Sequence, residues 1–160
     1  MVDRVQIRRL IKETLEDVGL HSPQAASLIY HTGLVESKYM YLYQKGGSNV
    51  ARGFFQCEPP TAVDICTNYL AYRDELMKRV ATVCYLDWKY FTAPNEHDWR
   101  NILTYNVRAQ IVMCRLHYWR VPKSLPQNIK DQAVYWKAYY NSHKGAGTVD
   151  HFMKIVETHG

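Results

Sequence analysis

Apolar residues in this chain recur at steps of three and four almost from end to end, and that periodicity is what most narrows the fold. Ile7, Leu10, Ile11, Leu15 and Val18 form one stripe that stops at Gly19. Ser22 before Pro23 reads as a helix start, the serine as N-cap and the proline at the first helical position. The helix that follows runs to about Ser37 through Leu28, Ile29, Thr32 and Val35. Further helices are expected from Thr61 through Leu70 and from about Arg73 to Leu86. After a connector over residues 92–98, Ile102, Tyr105, Ala109, Val112, Leu116 and Trp119 predict one long helix closed by Pro122 and Pro126. Helices over 127–141 and from Thr148 onward complete the pattern. Strand-like alternation is scarce. The loop Gly46-Gly47-Ser48-Asn49 allows at most a short β-hairpin near residues 44–56. The expectation is a mainly α, compact single domain over residues 1–160, with no repeat and no interdomain linker.

A chain of 160 residues with 47% hydrophobic and 22% charged residues is long enough to bury a real core. Thirteen tyrosines and four tryptophans exceed what that core consumes and point to aromatic surface. The net charge of +5 and a pI near 9.0 favour an anionic partner: nucleic acid, an anionic envelope polymer or a membrane surface. No segment reaches the roughly 20 apolar residues that span a bilayer. The charged N-terminal stretch lacks the apolar centre of a signal peptide, so synthesis in the cytoplasm without an export signal is expected. Cys57, Cys66, Cys84 and Cys114 show no metal-ligand spacing and read as reduced thiols. His97, His117, His143 and His151 form no HxxxH or HxxE pair, and neither a metal nor another cofactor is expected. Lys144 stands beside glycines, but the GxxxxGK[ST] phosphate loop is missing. Arg108, Arg115 and Arg120 read as a solvated face of the long helix.

Residues 34–62 carry the chemistry. Glu36 ends an apolar helical run, a Gly-rich loop follows, and then comes Gly53-Phe54-Phe55-Gln56. A carboxyl among apolar neighbours stays protonated toward neutral pH, which a general acid in glycosidic cleavage requires. Aromatic and amide groups nearby are what hold a sugar ring.

Three ordered blocks, ESKY at 36–39, ARGFFQ at 51–56 with Pro60-Thr61-Ala62 beyond, and YYNSHKGAG at 139–147, give the chain a family likeness. Over residues 25–150 it resembles the soluble lytic transglycosylase and goose-type lysozyme group. In that group a Glu-Ser pair ends a helix, a Gly-Leu-Met-Gln-type segment lines the cleft, and a Tyr-Asn pair packs against the glutamate. The resemblance implies a lysozyme-like catalytic domain with Glu36 as general acid and Ser37 orienting groups beside it. It further implies Gly53 permitting close backbone approach to the glycan, Phe55 stacking on a sugar face and Gln56 bonding N-acetyl or hydroxyl groups. Tyr140 would restrain the Glu36 carboxyl, Asn141 would accompany it, and Asn106 would line the cleft. The group usually has Asn-Ala-Gly after its tyrosine, whereas here Asn141 is followed by Ser142-His143-Lys144-Gly145.

Mechanism turns on a second carboxylate. Inverting hydrolases place a base roughly 6.5–9.5 Å from the acid and retaining ones a nucleophile at roughly 5–5.5 Å, whereas a lytic transglycosylase works with one glutamate. Glu58 is the candidate second carboxylate, with Asp64 further off. The expectation is a peptidoglycan muramidase of the kind that phages use as an endolysin or virion-associated lysin. It would cut the N-acetylmuramic acid–N-acetylglucosamine bond, reaching the wall through a holin pore or from the virion. Two alternatives stand beside it. A structural lysozyme-fold component of a phage tail or virion would use the aromatics against neighbouring virion proteins. A nucleic-acid-binding helical protein explains the charge but leaves the three ordered blocks without a reason.

Overall fold

The computed structural model describes residues 2–141 and 147–160 and is all-α. Helix α1 (Arg4–Val18) is capped by Asp3, whose carboxylate accepts from Gln6 N, and ends at Gly19 with φ 77°. Helix α2 (Pro23–Ser37) begins as the Ser-Pro pair predicts, with Ser22 Oγ accepting from Ala25 N at 3.0 Å. Its residues 28–34 are buried on every side, the pattern of a helix running through the core rather than along its surface. Helix α1 and the helices over Val107–Trp119 and Val149–His159 surround it.

Helix α3 (Pro59–Asn68) starts at the Pro59-Pro60 pair with Glu58 at its N-cap, so Thr61 lies within the first turn and is not the cap. Helix α4 (Asp74–Val83) and the short α5 (Lys89–Thr92) follow. The expected long helix is two: α6 (Glu96–Tyr105) and α7 (Val107–Trp119). The break falls at Asn106, which leaves helical geometry (φ −109°, ψ 99°) and turns its Oδ1 to Ala109 N at 2.9 Å. An asparagine that can bond its own backbone competes with the helix ladder, and apolar periodicity does not register that competition. Helix α8 (Ile129–Trp136) is capped by Asn128 and passes into a π-helical turn over Lys137–Asn141. Helix α9 (Val149–His159) is capped by Thr148.

Among the described residues there is no strand. The expected hairpin reduces to two isolated antiparallel bridges, Tyr43–Arg52 and Arg52–Cys57. One apolar cluster, with Phe91, Trp99, Leu103 and Leu116, fills the space between α3, α4, α6 and α7. A second surrounds α2, and a small third joins Ala133 and Trp136 of α8 to Phe152 and Val156 of α9.

The arginines of α7 do not form a solvated face. Arg115 is buried and donates to Leu20 O at 2.9 Å. Arg108 bonds Asp17 and Val83 O, and Arg120 pairs with Asp64 at 2.8 Å. Each ties α7 to a neighbour. All four cysteines are free and buried, and burial pushes the thiols of Cys57, Cys66 and Cys84 up to about 12. No helix among the described residues is long and apolar enough to cross a membrane.

Candidate active site

The last turn of α2 places Glu36. Lys38 and Tyr39 both take left-handed backbone conformations (φ 53° and 54°), so the chain reverses directly after the helix. Ser37 Oγ locks the reversal, donating to Gly33 O at 3.2 Å and accepting from Tyr39 N at 3.1 Å. Tyr39 folds back beneath α2 and donates its hydroxyl to Tyr30 O at 2.7 Å; any side chain at Gly33 would overlap its ring. Tyr41 donates to the backbone carbonyl of Glu36 at 2.9 Å. The carboxyl is thereby held half-buried in a cleft of about 790 Å³.

Burial raises the Glu36 carboxyl to about 7, opposed by one hydrogen bond from the Trp136 indole. The indole Nε1 donates to Oε2 at 3.3 Å. Much of the population therefore carries the acidic proton at neutral pH, because desolvation penalises the charged form more than one donor restores it.

The 51–57 segment forms the adjoining wall. Arg52 and Cys57 exchange backbone hydrogen bonds at 2.9 and 3.1 Å, closing a tight loop in which Gln56 is left-handed (φ 49°). Gln56 lines the cleft with its Nε2 committed to Gly53 O at 2.8 Å. Gly53 (φ 80°) has a different reason from the expected one. A β-carbon there would lie 2.6 Å from Leu103 O and 2.7 Å from the Gln110 side chain, so the glycine serves packing against the α6–α7 junction and does not line the cleft. Phe55 is also corrected: its ring is fully buried, edge-on to Tyr39, and presents no face to a sugar. Ser37 is likewise buried, and its hydroxyl is spent on the chain reversal.

The opposite wall comes from α7 and the π-helical turn. Tyr139, Tyr140, Asn141 and His117 line it. Tyr140 does not restrain the Glu36 carboxyl as expected. It donates to Phe55 O at 2.6 Å, joining the two walls, and packs between His117 and Tyr118. Asn141 Oδ1 accepts from Lys137 Nζ at 2.9 Å. Burial and, after it, the Arg120 charge depress His117 to about 4, so the imidazole is neutral at neutral pH. Ser142, His143, Lys144 and Gly145 lie outside the described residues.

Glu58 shares the cleft and is exposed. Asp64 stands outside it, held below the usual carboxylate range by Asn68 and Arg120. Asn106 is not brought to Glu36. It lies in a separate groove with Tyr85 and Tyr105, where its Nδ2 donates to Cys84 O at 2.9 Å. Among the described residues, no cluster of His, Cys, Asp and Glu could hold a metal ion.

Trp136, Tyr41 and His117 belong to the site and escaped the sequence reading. The one available signal was spacing. Trp136 precedes Tyr140 by four residues, so a helical continuation of α8 sets both along one side. Comparison of the chain with known protein families, with curated proteins and with solved structures finds no match, and the family likeness rests on its motif residues alone.

Proposed function

We propose that this chain is a peptidoglycan-cleaving muramidase of the lytic transglycosylase or lysozyme type, with Glu36 as general acid. The observation that carries the reading is the half-buried Glu36 carboxyl, raised to about 7, in a cleft large enough for a glycan segment. An acid titrating near the working pH combines a protonated resting state with useful proton-transfer strength. Glu36 protonates the glycosidic oxygen as the bond to the anomeric carbon breaks. Its carboxylate then takes the proton of the C6 hydroxyl as that oxygen closes on the anomeric carbon, giving a 1,6-anhydro end.

The amides support sugar binding in complementary senses. Gln56 has its N–H group engaged, which leaves Oε1 to accept from an acetamido N–H. Asn141 has its oxygen engaged, which leaves Nδ2 to donate. Glu58 is the group in the cleft that would activate water if the product is hydrolytic. The net charge of +5 favours approach to anionic wall polymers. In this reading the chain acts as a phage endolysin or virion-associated lysin, delivered through a holin pore or by the virion.

Digestion of purified peptidoglycan, with mass spectrometry of the products and Glu36→Gln as control, tests it. Anhydromuramyl ends that vanish in the variant establish transglycosylation, and reducing muramic ends establish hydrolysis. No cleavage by the wild-type chain overturns the enzyme reading. It would favour the structural virion component, which the 71–86% exposure of Tyr72, Tyr85 and Tyr105 also suits.

A further inference from the structure

Glu36 receives its indole hydrogen bond from a side chain 100 residues away, and that side chain is immobilised from two sides. Trp136 is 1% exposed. Phe152 of α9 packs against it with ring centroids 5.4 Å apart. Gly147, just ahead of α9, lies so close that a β-carbon there would overlap the indole's six-membered ring. A side chain at Gly147 would have no room beside the indole.

We propose that Trp136 is the positioning residue for Glu36, its indole N–H engaging Oε2 so that Oε1 carries the transferable proton into the cleft, with Gly147 and α9 keeping the indole in place. This rests on the reading of Glu36 as the acid. The carbonyl oxygen of a neutral carboxyl is its better acceptor, so a donor fixed on one oxygen selects the other for the proton. Without that donor both oxygens are equivalent, and the proton is delivered from either. The titratable groups facing the carboxyl are Tyr41 from the following loop, Cys114 and Tyr118 from α7, and Tyr140 from the π-helical turn. Each is held uncharged at neutral pH by burial. Lys45, Glu58 and His117 line the wider cleft. The indole is therefore the group whose removal changes the carboxyl without changing a neighbouring charge.

The test is a carbon-13 NMR titration of the Glu36 side-chain carboxyl in the wild-type chain, Trp136→Phe and Gly147→Ala. Two or three N–H donors together lower a carboxyl by about two units, so losing one should raise the Glu36 midpoint by roughly one unit. Gly147→Ala, which leaves the indole present but displaced, should raise it in the same direction by less. The alkaline limb of the pH–rate profile should move with it, a response that loss of packing alone does not produce. An unchanged or lowered midpoint in folded Trp136→Phe overturns the proposal. If that variant does not fold, an unchanged midpoint in Gly147→Ala overturns it instead. Because the titration reads the carboxyl directly, it decides the role of Trp136 even if the wild-type chain cleaves no peptidoglycan. That second result would remove the muramidase reading and leave the hydrogen bond standing.

Discussion

The two walls of the cleft divide structural and lining roles differently. In the wall from residues 36–57, Ser37, Phe55 and the packing position Gly53 are spent on structure, while Glu36, Ala51 and Gln56 of the same motif blocks line the cleft. In the wall from α7 and the π-helical turn, His117, Tyr139, Tyr140 and Asn141 face the cleft directly. The first wall fixes where the acid stands and presents Tyr41, Gln44, Lys45 and Gln56 beside it, and the second adds an aromatic and imidazole surface. A family-like motif can therefore persist for reasons of shape even where its residues touch no ligand.

That division can be broken experimentally, and the largest effect should fall on the acid. Glu36→Gln is expected to lower the cleavage rate by about a hundred- to ten-thousand-fold, with an unchanged circular dichroism spectrum. Phe55→Ala should cost about 3–5 kcal/mol of stability in denaturant unfolding, as an emptied core position does. Tyr139→Ala on the other wall should leave the midpoint nearly unmoved while weakening glycan binding. Equal destabilisation by the two would erase the distinction.

A third effect is smaller and depends on pH. Native Glu36 holds its proton to about pH 7, whereas the unfolded chain releases it near 4.5. The native state thus binds more protons across that interval, and stability falls as pH rises through it. Glu36→Gln should therefore be more stable than wild type by about 3 kcal/mol at pH 8 and nearly equal to it at pH 4, by thermal unfolding. The smallest effect belongs outside the cleft. Asn106→Ala removes the cap of α7 and should cost about 1 kcal/mol, with peptidoglycan turnover unchanged.

The longer helices were legible because each writes its buried face into the sequence and some carry their own start or stop: Gly19 for α1, Ser22-Pro23 for α2 and Thr148 for α9; the four-residue α5 was too short to leave such a pattern. The division at Asn106 was not, since apolar periodicity continues through it and the cap depends on a side-chain choice. For the site, Glu36, Gln56, Tyr140, Asn141 and Glu58 were legible as cleft residues. The inward turn of Phe55 was not, because a Phe-Phe pair reads the same whether it faces sugar or core. Trp136 could not be inferred as the acid's donor, since its contact with Glu36 exists only through the docking of α8 and α9 beside α2.

The contacts that build the cleft differ widely in their separation along the chain. The turn that places Glu36 closes through contacts four to nine residues apart: Ser37 to Gly33, Tyr41 to Glu36 and Tyr39 to Tyr30. The far wall arrives through contacts 85 and 100 residues apart, Tyr140 to Phe55 and Trp136 to Glu36. Closing a loop of a hundred residues costs about 3 kcal/mol more entropy than closing one of five. The carboxyl is thus set by local contacts of low entropic cost, and its indole partner by a distant one of higher cost. The proton on Glu36 depends on burial that the distant C-terminal third helps to complete, while the indole it brings acts in the opposite sense on the same carboxyl.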